Sequence, residues 1–153
     1  MQTFVQFRST KLLFVLLMSL TIGGCKPAMR SVIGTVLLDG KPIQNCKVGF
    51  FPDTTEFNPD RHGFGFGVTD EKGAFKIQHP QGEEGIWAGK YKVTFVAWVN
   101  NAGKSLPMDI KPSEVSGGVK NRFPDKYEAP STSPESVTVT SGENVFKFDI
   151  KSK

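Results

Sequence analysis

Few side chains in this sequence are spaced for catalytic chemistry. Glu83 and Glu84 are adjacent carboxylates, a residue type used for general acid–base catalysis. On an extended chain, neighbouring side chains point to opposite sides, so these two do not face one substrate. Cys46 needs a histidine base to act as a nucleophile, and neither His62 nor His79 lies close to it in sequence. These observations predict that the protein is not an enzyme.

Two tryptophans are the side chains best suited to recognition. Trp98 falls on the polar side of its predicted strand, and Trp87 lies in a glycine-rich loop. Exposed indole rings stack on sugar faces or fill protein pockets, so we predict a ligand-binding role for Trp87, Trp98 and Tyr127. The alternative is that the loop over residues 100–134 covers Trp98 and that Trp87 caps one end of the core.

The elements that position these residues are predicted to be strands. Short runs rich in Val, Ile, Phe and Thr alternate with turns of Gly, Pro, Asp and Asn, and no segment shows a helical repeat. This pattern predicts an all-β sandwich or barrel with seven strands. The predicted strands are residues 31–38, 46–51, 63–69, a segment containing Phe75 and Ile77, 90–99, 136–140 and 145–150.

Three local features follow from this pattern. Cys46 shares the apolar parity of Val48 and Phe50, which predicts a buried structural thiol. The strand over 63–69 alternates phenylalanine or valine with glycine, so one face is aromatic and the other is bare, and the bare face lets another element lie close. Residues 100–134 show no alternation, which is typical of a functional loop or of partial disorder.

The first 24 residues have the pattern of a secretory signal peptide. Arg8 and Lys11 precede the 11-residue apolar run 12–22, and small residues lead to Cys25. The run is much shorter than the roughly 20 residues that a transmembrane helix needs. We therefore expect residues 1–24 to be cleaved. The remaining chain has 17 basic and 15 acidic residues, a net charge of +2, and no basic block that would indicate nucleic-acid binding.

The segment Ile22-Gly23-Gly24-Cys25 resembles the lipobox of bacterial lipoproteins. The resemblance implies a diacylglycerol on the Cys25 thiol, a lipidated tether over residues 25–30 and a domain over 31–153. Lys26, in place of the aspartate that retains some lipoproteins at the inner membrane, implies an outer-membrane protein that faces the periplasm or the cell surface. The alternative is an ordinary cleavage site with an incidental cysteine. With lipid on Cys25, Cys46 has no disulfide partner.

Motifs after Cys25 resemble, in their order, the carboxypeptidase regulatory-like domain. They are Val32-x-Gly34-x-Val36, Asp39-Gly40-Lys41-Pro42, Phe50-Phe51-Pro52, Val68-Thr69-Asp70-Glu71-Lys72-Gly73-Ala74-Phe75 and Gly89-Lys90-Tyr91-Lys92-Val93. This resemblance implies an all-β, seven-stranded antiparallel β-sandwich of the transthyretin-like or Ig-like type. The tail from Phe123 to Ile150 is similar to the ending of small bacterial lipoproteins with this domain. Because these motifs are turns and core positions, the resemblance implies a fold and no chemistry.

A related family, the intradiol dioxygenases, binds ferric iron through two tyrosines and two histidines. This chain has the same count, but its order differs from that family, so the resemblance implies no metal and no cofactor. We therefore expect a non-catalytic, lipid-anchored envelope protein with a structural or protein-interaction role. The alternative is a carbohydrate-binding module that uses exposed tryptophans. Envelope proteins or glycans are the expected partners, and nucleic acid is not.

Replacing Cys25 with serine tests the predicted anchor. The wild-type protein should incorporate labelled fatty acid and sediment with membranes, because two or more acyl chains hold a protein stably at about 0.8 kcal/mol per buried methylene. Cys25→Ser should lose both properties, while Cys46→Ser should keep them. Labelled fatty acid on Cys25→Ser would contradict the prediction.

Overall fold

Ten β-strands and two 3₁₀ helices form the regular structure of residues 28–152, which are the residues that the computed structural model describes. The strands are β1 (Ile33–Leu38), β2 (Lys41–Pro42), β3 (Lys47–Pro52), β4 (Gly65–Val68), β5 (Ala74–Lys76), β6 (Gly89–Val96), β7 (Trp98–Val99), β8 (Lys120–Asn121), β9 (Ser136–Val139) and β10 (Val145–Ile150). The 3₁₀ helices are Pro112–Glu114 and Asp125–Tyr127. None of the helices in this range is long and apolar enough to cross a bilayer.

The strands form two four-stranded sheets and one short two-stranded sheet. In the first sheet, β1 pairs with β10 on one side and with β2 and β5 on the other. The second sheet has the order β4-β3-β6-β9, and all of its pairs are antiparallel. The two-residue strands β7 and β8 form the third sheet. The structure is thus β-rich, as the alternation of the sequence predicts.

The aromatic core shows that the two large sheets face each other. Phe50 on β3 lies 6.3 Å from Phe75 on β5 and 6.0 Å from Phe146 on β10, measured between ring centroids. Phe95 on β6 lies 5.1 Å from Phe148 on β10. Each of these pairs joins the second sheet to the first, and such pairs add to the stabilisation that burial of the rings provides. The architecture is therefore a β-sandwich.

Two details differ from the prediction. The structure has ten strands rather than seven, because the two-residue strands β2 and β8 were not predicted and the strand predicted over 90–99 is divided at Ala97 into β6 and β7. The sandwich is also not wholly antiparallel, because β1 and β10 run parallel, with Ile33 opposite Val145 and Leu38 opposite Ile150. The turn after β9 carries the chain to the first sheet, so β10 pairs with β1 and not with β9.

The bare face of β4 points inward. Gly65 is buried, and a Cβ added there would lie 2.5 Å from the Ile77 side chain and 2.6 Å from that of Ile86. A Cβ on Gly67 would lie 2.6 Å from the Lys76 carbonyl oxygen. The backbone of β4 therefore approaches the segment around Ile77 more closely than any side chain would permit, as the glycine pattern predicts.

The long segment over residues 100–134 is tied to the sandwich by its second half. Phe123 and Tyr127 are buried, and their rings lie 5.6 Å and 6.0 Å from that of Phe95. The Asn121 side chain accepts hydrogen bonds from the backbone N–H groups of Ala97 and Phe123 at 2.9 and 3.2 Å. The aromatic residues at 123–127 thus pin this segment to the core.

Adding a methyl group at Gly65 tests the close approach of β4. Gly65→Ala should lower the free energy of unfolding by about 1–3 kcal/mol, because the new Cβ overlaps Ile77 and Ile86 in a packed core. Gly142→Ala is the matched control, since its nearest atom would be 3.7 Å away, and its effect should stay within about 0.5 kcal/mol. Urea unfolding midpoints measure both. Equal stability of the two variants would contradict the packing.

Candidate functional site

One end of the sandwich, which we call the entry end, gathers three separate segments of the chain. The backbones of Arg30 and Ile86 exchange two hydrogen bonds, of 2.7 and 3.1 Å, which fixes the start of the described chain beside the loop before β6. Pro52, the last residue of β3, lies opposite Tyr91 in the second sheet. The loop over residues 53–62 therefore emerges beside the loop that contains Trp87.

A cavity of about 290 Å³ lies where these segments meet. We call it the Trp87 cavity, and its lining residues are Ala28, Arg30, Arg61, His62, Trp87 and Ala88. It combines one half-buried indole ring with two guanidinium groups and one imidazole. An aromatic plane beside cationic donors is suited to an anionic ligand that carries a flat or apolar face.

Local contacts fix the position of Trp87. The Tyr91 hydroxyl donates a 2.8 Å hydrogen bond to the Trp87 carbonyl oxygen. The His79 ring meets the indole edge-on at 5.3 Å between centroids. Gly63 lies so close that a Cβ on it would overlap the indole ring. The indole is therefore held by its surroundings and not free to rotate.

Asn58 organises the loop that carries Arg61 and His62. Its carbonyl oxygen accepts hydrogen bonds from the N–H groups of Arg61 and His62, at 3.1 and 2.7 Å. Its own N–H donates to His62 Nδ1 at 2.9 Å. Because Nδ1 accepts, the proton of the neutral imidazole resides on Nε2, which leaves Nε2–H as a donor. The turn thus presents two cationic or donor side chains from adjacent positions.

The predicted tryptophan pair does not form one site. Trp87 precedes β6 and Trp98 follows it, so the eight residues of β6 separate them by roughly 26 Å. Trp98 is half-buried, pairs with Asn121 of β8 and lies beside the segment 100–134. Tyr127 is only 7% exposed and belongs to the core cluster. The structure therefore brings none of these three aromatic residues together.

Cys46 is a buried thiol, as its strand position predicts. Its exposed fraction is 0%, and its backbone N–H donates to Thr69 Oγ1 at 2.9 Å. Burial raises the pKa of the Cys46 thiol far above its usual range, and a thiolate is the reactive form. Cys25, the predicted lipidation site, lies outside the described residues, as do the predicted leader 1–24 and the first residues of the tether.

Of the adjacent glutamates at 83 and 84, Glu84 forms a 2.7 Å ion pair with Lys76 through its carboxylate. Glu83 accepts a hydrogen bond from the His79 N–H through its backbone carbonyl oxygen. Within residues 28–152, no group of three or more His, Cys, Asp and Glu side chains is placed to hold a metal ion.

A second surface feature lies on the outer face of the second sheet. The rings of Phe51 and Phe64 stack at 6.2 Å between centroids, and Phe66 contacts both, at 5.8 and 5.4 Å. Both Phe51 and Phe66 lie over Gly49, where an added Cβ would be 2.8 Å from the Phe51 ring. We call Phe51, Phe64 and Phe66 the aromatic face. Its sequence signal is the Phe–Gly alternation, which marks an aromatic side but does not say that this side points outward.

No protein-family model, curated protein or solved structure matches this chain. The resemblance to carboxypeptidase regulatory-like domains and to bacterial lipoproteins therefore stays a prediction from the sequence motifs.

Alkaline pH tests the packing around Trp87. Burial raises the pKa of Tyr91 from 10.0 to about 12, so the fold favours the neutral phenol. This stabilisation is complete below pH 10 and is lost as the pH rises to about 12, at up to about 1.4 kcal/mol per pH unit. Urea unfolding of the wild type should show this loss, while Tyr91→Phe should lack it and should be about 1 kcal/mol less stable at neutral pH. Identical pH profiles would contradict the assignment.

Proposed function

We propose that this chain is a lipid-anchored, non-catalytic protein of the cell envelope whose β-sandwich binds other envelope proteins. The signal-peptide pattern of residues 1–24 and the lipobox-like segment ending at Cys25 support the anchor and an outer-membrane location. The order of the turn and core motifs supports a transthyretin-like sandwich as the tethered domain. Cys46 and Glu84, two residues that could have done chemistry, are engaged in the core and in an ion pair.

The aromatic face is the observation that carries the protein-binding role. Phe64, which directly precedes β4, is 42% exposed, and Val68 at the end of β4 is 50% exposed. Three contacting rings and a valine form a contiguous apolar surface, not scattered single residues. Contiguous exposed apolar groups, aromatic ones above all, are typical of protein interfaces.

The charges beside the aromatic face indicate what the partner offers. The Lys47 ammonium lies 4.1 Å from the centroid of the Phe66 ring, and Lys92 lies opposite Phe51 in the sheet. Two lysines at the edge of an apolar centre favour a partner with an apolar patch and acidic groups around it. The partner is therefore expected to bind more weakly as the salt concentration rises.

A second candidate function is carbohydrate binding, and the Trp87 cavity is the observation that favours it. The cavity places an indole ring beside hydrogen-bond donors in a volume of about 290 Å³, close to the lower limit of small-molecule sites. Trp98 has no part in it, since β6 separates the two tryptophans.

Photocrosslinking tests the aromatic face. With p-benzoylphenylalanine in place of Phe64, we expect a discrete crosslinked product in intact cells, because the exposed ring contacts the partner. The same probe in place of Val145, which is 56% exposed on the outer side of the first sheet, should not give that product.

A pair of matched variants completes this test. Phe64→Ser should weaken co-purification of the crosslinked protein by about tenfold or more, whereas Phe57→Ser, which removes a 61% exposed ring from a loop, should not. Crosslinks that are the same from positions 64 and 145, or absent from both, would contradict the proposed role of this face.

A further inference from the structure

We propose that the Trp87 cavity binds an acidic saccharide, in which a sugar face packs on Trp87 and a carboxylate or phosphate group is held by Arg30 and Arg61. This inference rests on the carbohydrate-binding candidate described above and names its ligand class. It depends on three properties of the cavity, each read within the described residues 28–152: a buried donor without a partner, two arginines without carboxylate partners, and the fixed indole.

The first property concerns Arg30. Its backbone is held by both hydrogen bonds to Ile86, and the residue lines the cavity. Its Nε is buried and has no hydrogen-bond partner among residues 28–152. Leaving a buried donor unsatisfied costs about 1–3 kcal/mol, and more for a charged group. An oxygen of a bound anion that reaches this Nε would remove that cost.

The second property is the absence of compensating charge on the two guanidinium groups. The ion pairs of residues 28–152 join Lys76 to Glu84, Lys111 to Glu114 and Lys151 to Asp149. Neither Arg30 nor Arg61 takes part in them, although Asp53, Glu56 and Asp60 are carried by the same loop as Arg61. Two guanidinium groups and the His62 Nε2–H in one cavity match the acceptor oxygens of a carboxylate or a phosphate.

The third property is the shape of the site. Trp87 offers a rigid aromatic plane, which packs against the C–H face of a pyranose ring. Next to the Trp87 cavity lies a smaller one of about 180 Å³, and His62 lines both. Lys90 and Tyr91 line the smaller cavity, together with Asp53. Two cavities that share a wall residue favour an oligosaccharide with one sugar unit in each.

Titration of the purified lipidated protein in detergent tests the ligand class. The probes are trigalacturonate as the carboxylated sugar, glucose 6-phosphate as the phosphorylated sugar, maltotriose as the neutral sugar and inorganic phosphate as the anion alone. We expect trigalacturonate or glucose 6-phosphate to bind at least about tenfold more tightly than maltotriose and inorganic phosphate, with a change in tryptophan fluorescence. Whichever of these two sugars binds with the higher affinity shows whether the anionic group is a carboxylate or a phosphate.

Variants then locate the site. Arg61→Gln should weaken the favoured sugar by about tenfold or more, the size expected for one charge-assisted hydrogen bond of about 1.4 kcal/mol or more. Arg61 is exposed, so the variant should fold. Arg122→Gln makes the same change at an exposed arginine beside the other end of β6 and should leave the affinity unaltered. Arg30→Gln should weaken binding as Arg61→Gln does, with its fold checked by thermal unfolding.

Other outcomes would contradict the acidic group of the ligand, its saccharide part or the location of the site. Maltotriose binding as tightly as the acidic sugars, with loss in Trp87→Ala, would overturn the acidic ligand while leaving the carbohydrate candidate intact. If inorganic phosphate binds as tightly as the sugars, the proposal that the ligand is a saccharide is contradicted. Absence of binding by every sugar would overturn both this inference and the carbohydrate candidate. An Arg122→Gln effect equal to that of Arg61→Gln would overturn the location.

Discussion

The close approach of the β4 backbone to Ile77 and Ile86 is the constraint on which both candidate surfaces depend. Gly65 and Gly67 leave no side chain on the inner side of β4, so these neighbours fill that space. Ile86 is thereby buried, and its backbone pairs with Arg30. This pairing brings Arg30 and Trp87 to the wall of one cavity. The same glycines occupy the inward positions of β4, so Phe66 and Val68 must lie on its outer face.

Polar side chains hydrogen-bond to backbone groups in the connections between strands and hold these connections in place. The Asn144 Oδ1 accepts the Thr140 N–H at 2.8 Å, and its amide nitrogen donates to the Ser31 carbonyl oxygen at 3.4 Å. Asn121 similarly bonds to backbone groups around β7. Both asparagines satisfy backbone groups where the chain leaves a sheet, which is where the ladder no longer does so. The turn before β10 and the segment over 100–134 are held in place by these side chains.

The two ends of the sandwich differ in a way that bears on the proposed anchor. Three residues lead from Cys25 to Ala28, and Ala28 lines the Trp87 cavity. Three residues span at most about 11 Å. A lipid on Cys25 would therefore keep the entry end, with its cavity, close to the membrane. Trp98 lies beyond the other end of β6.

What the sequence by itself determined is local: alternation with a period of two marks the strands, their buried residues and the buried thiol of Cys46, because side chains on a strand alternate between its faces. The Phe–Gly pattern likewise predicted the close approach at β4. Only the tertiary structure decided which side of β4 faces outward and that β10 lies parallel to β1. It also decided that Arg30, Arg61 and Trp87 meet at one cavity. Trp98 lies elsewhere. These outcomes depend on which strands pair across more than a hundred residues of chain and on how two sheets close over each other. Alternation of residue types carries no information on strand pairing or on sheet packing, since it fixes the two faces of a strand and not the partner of that strand.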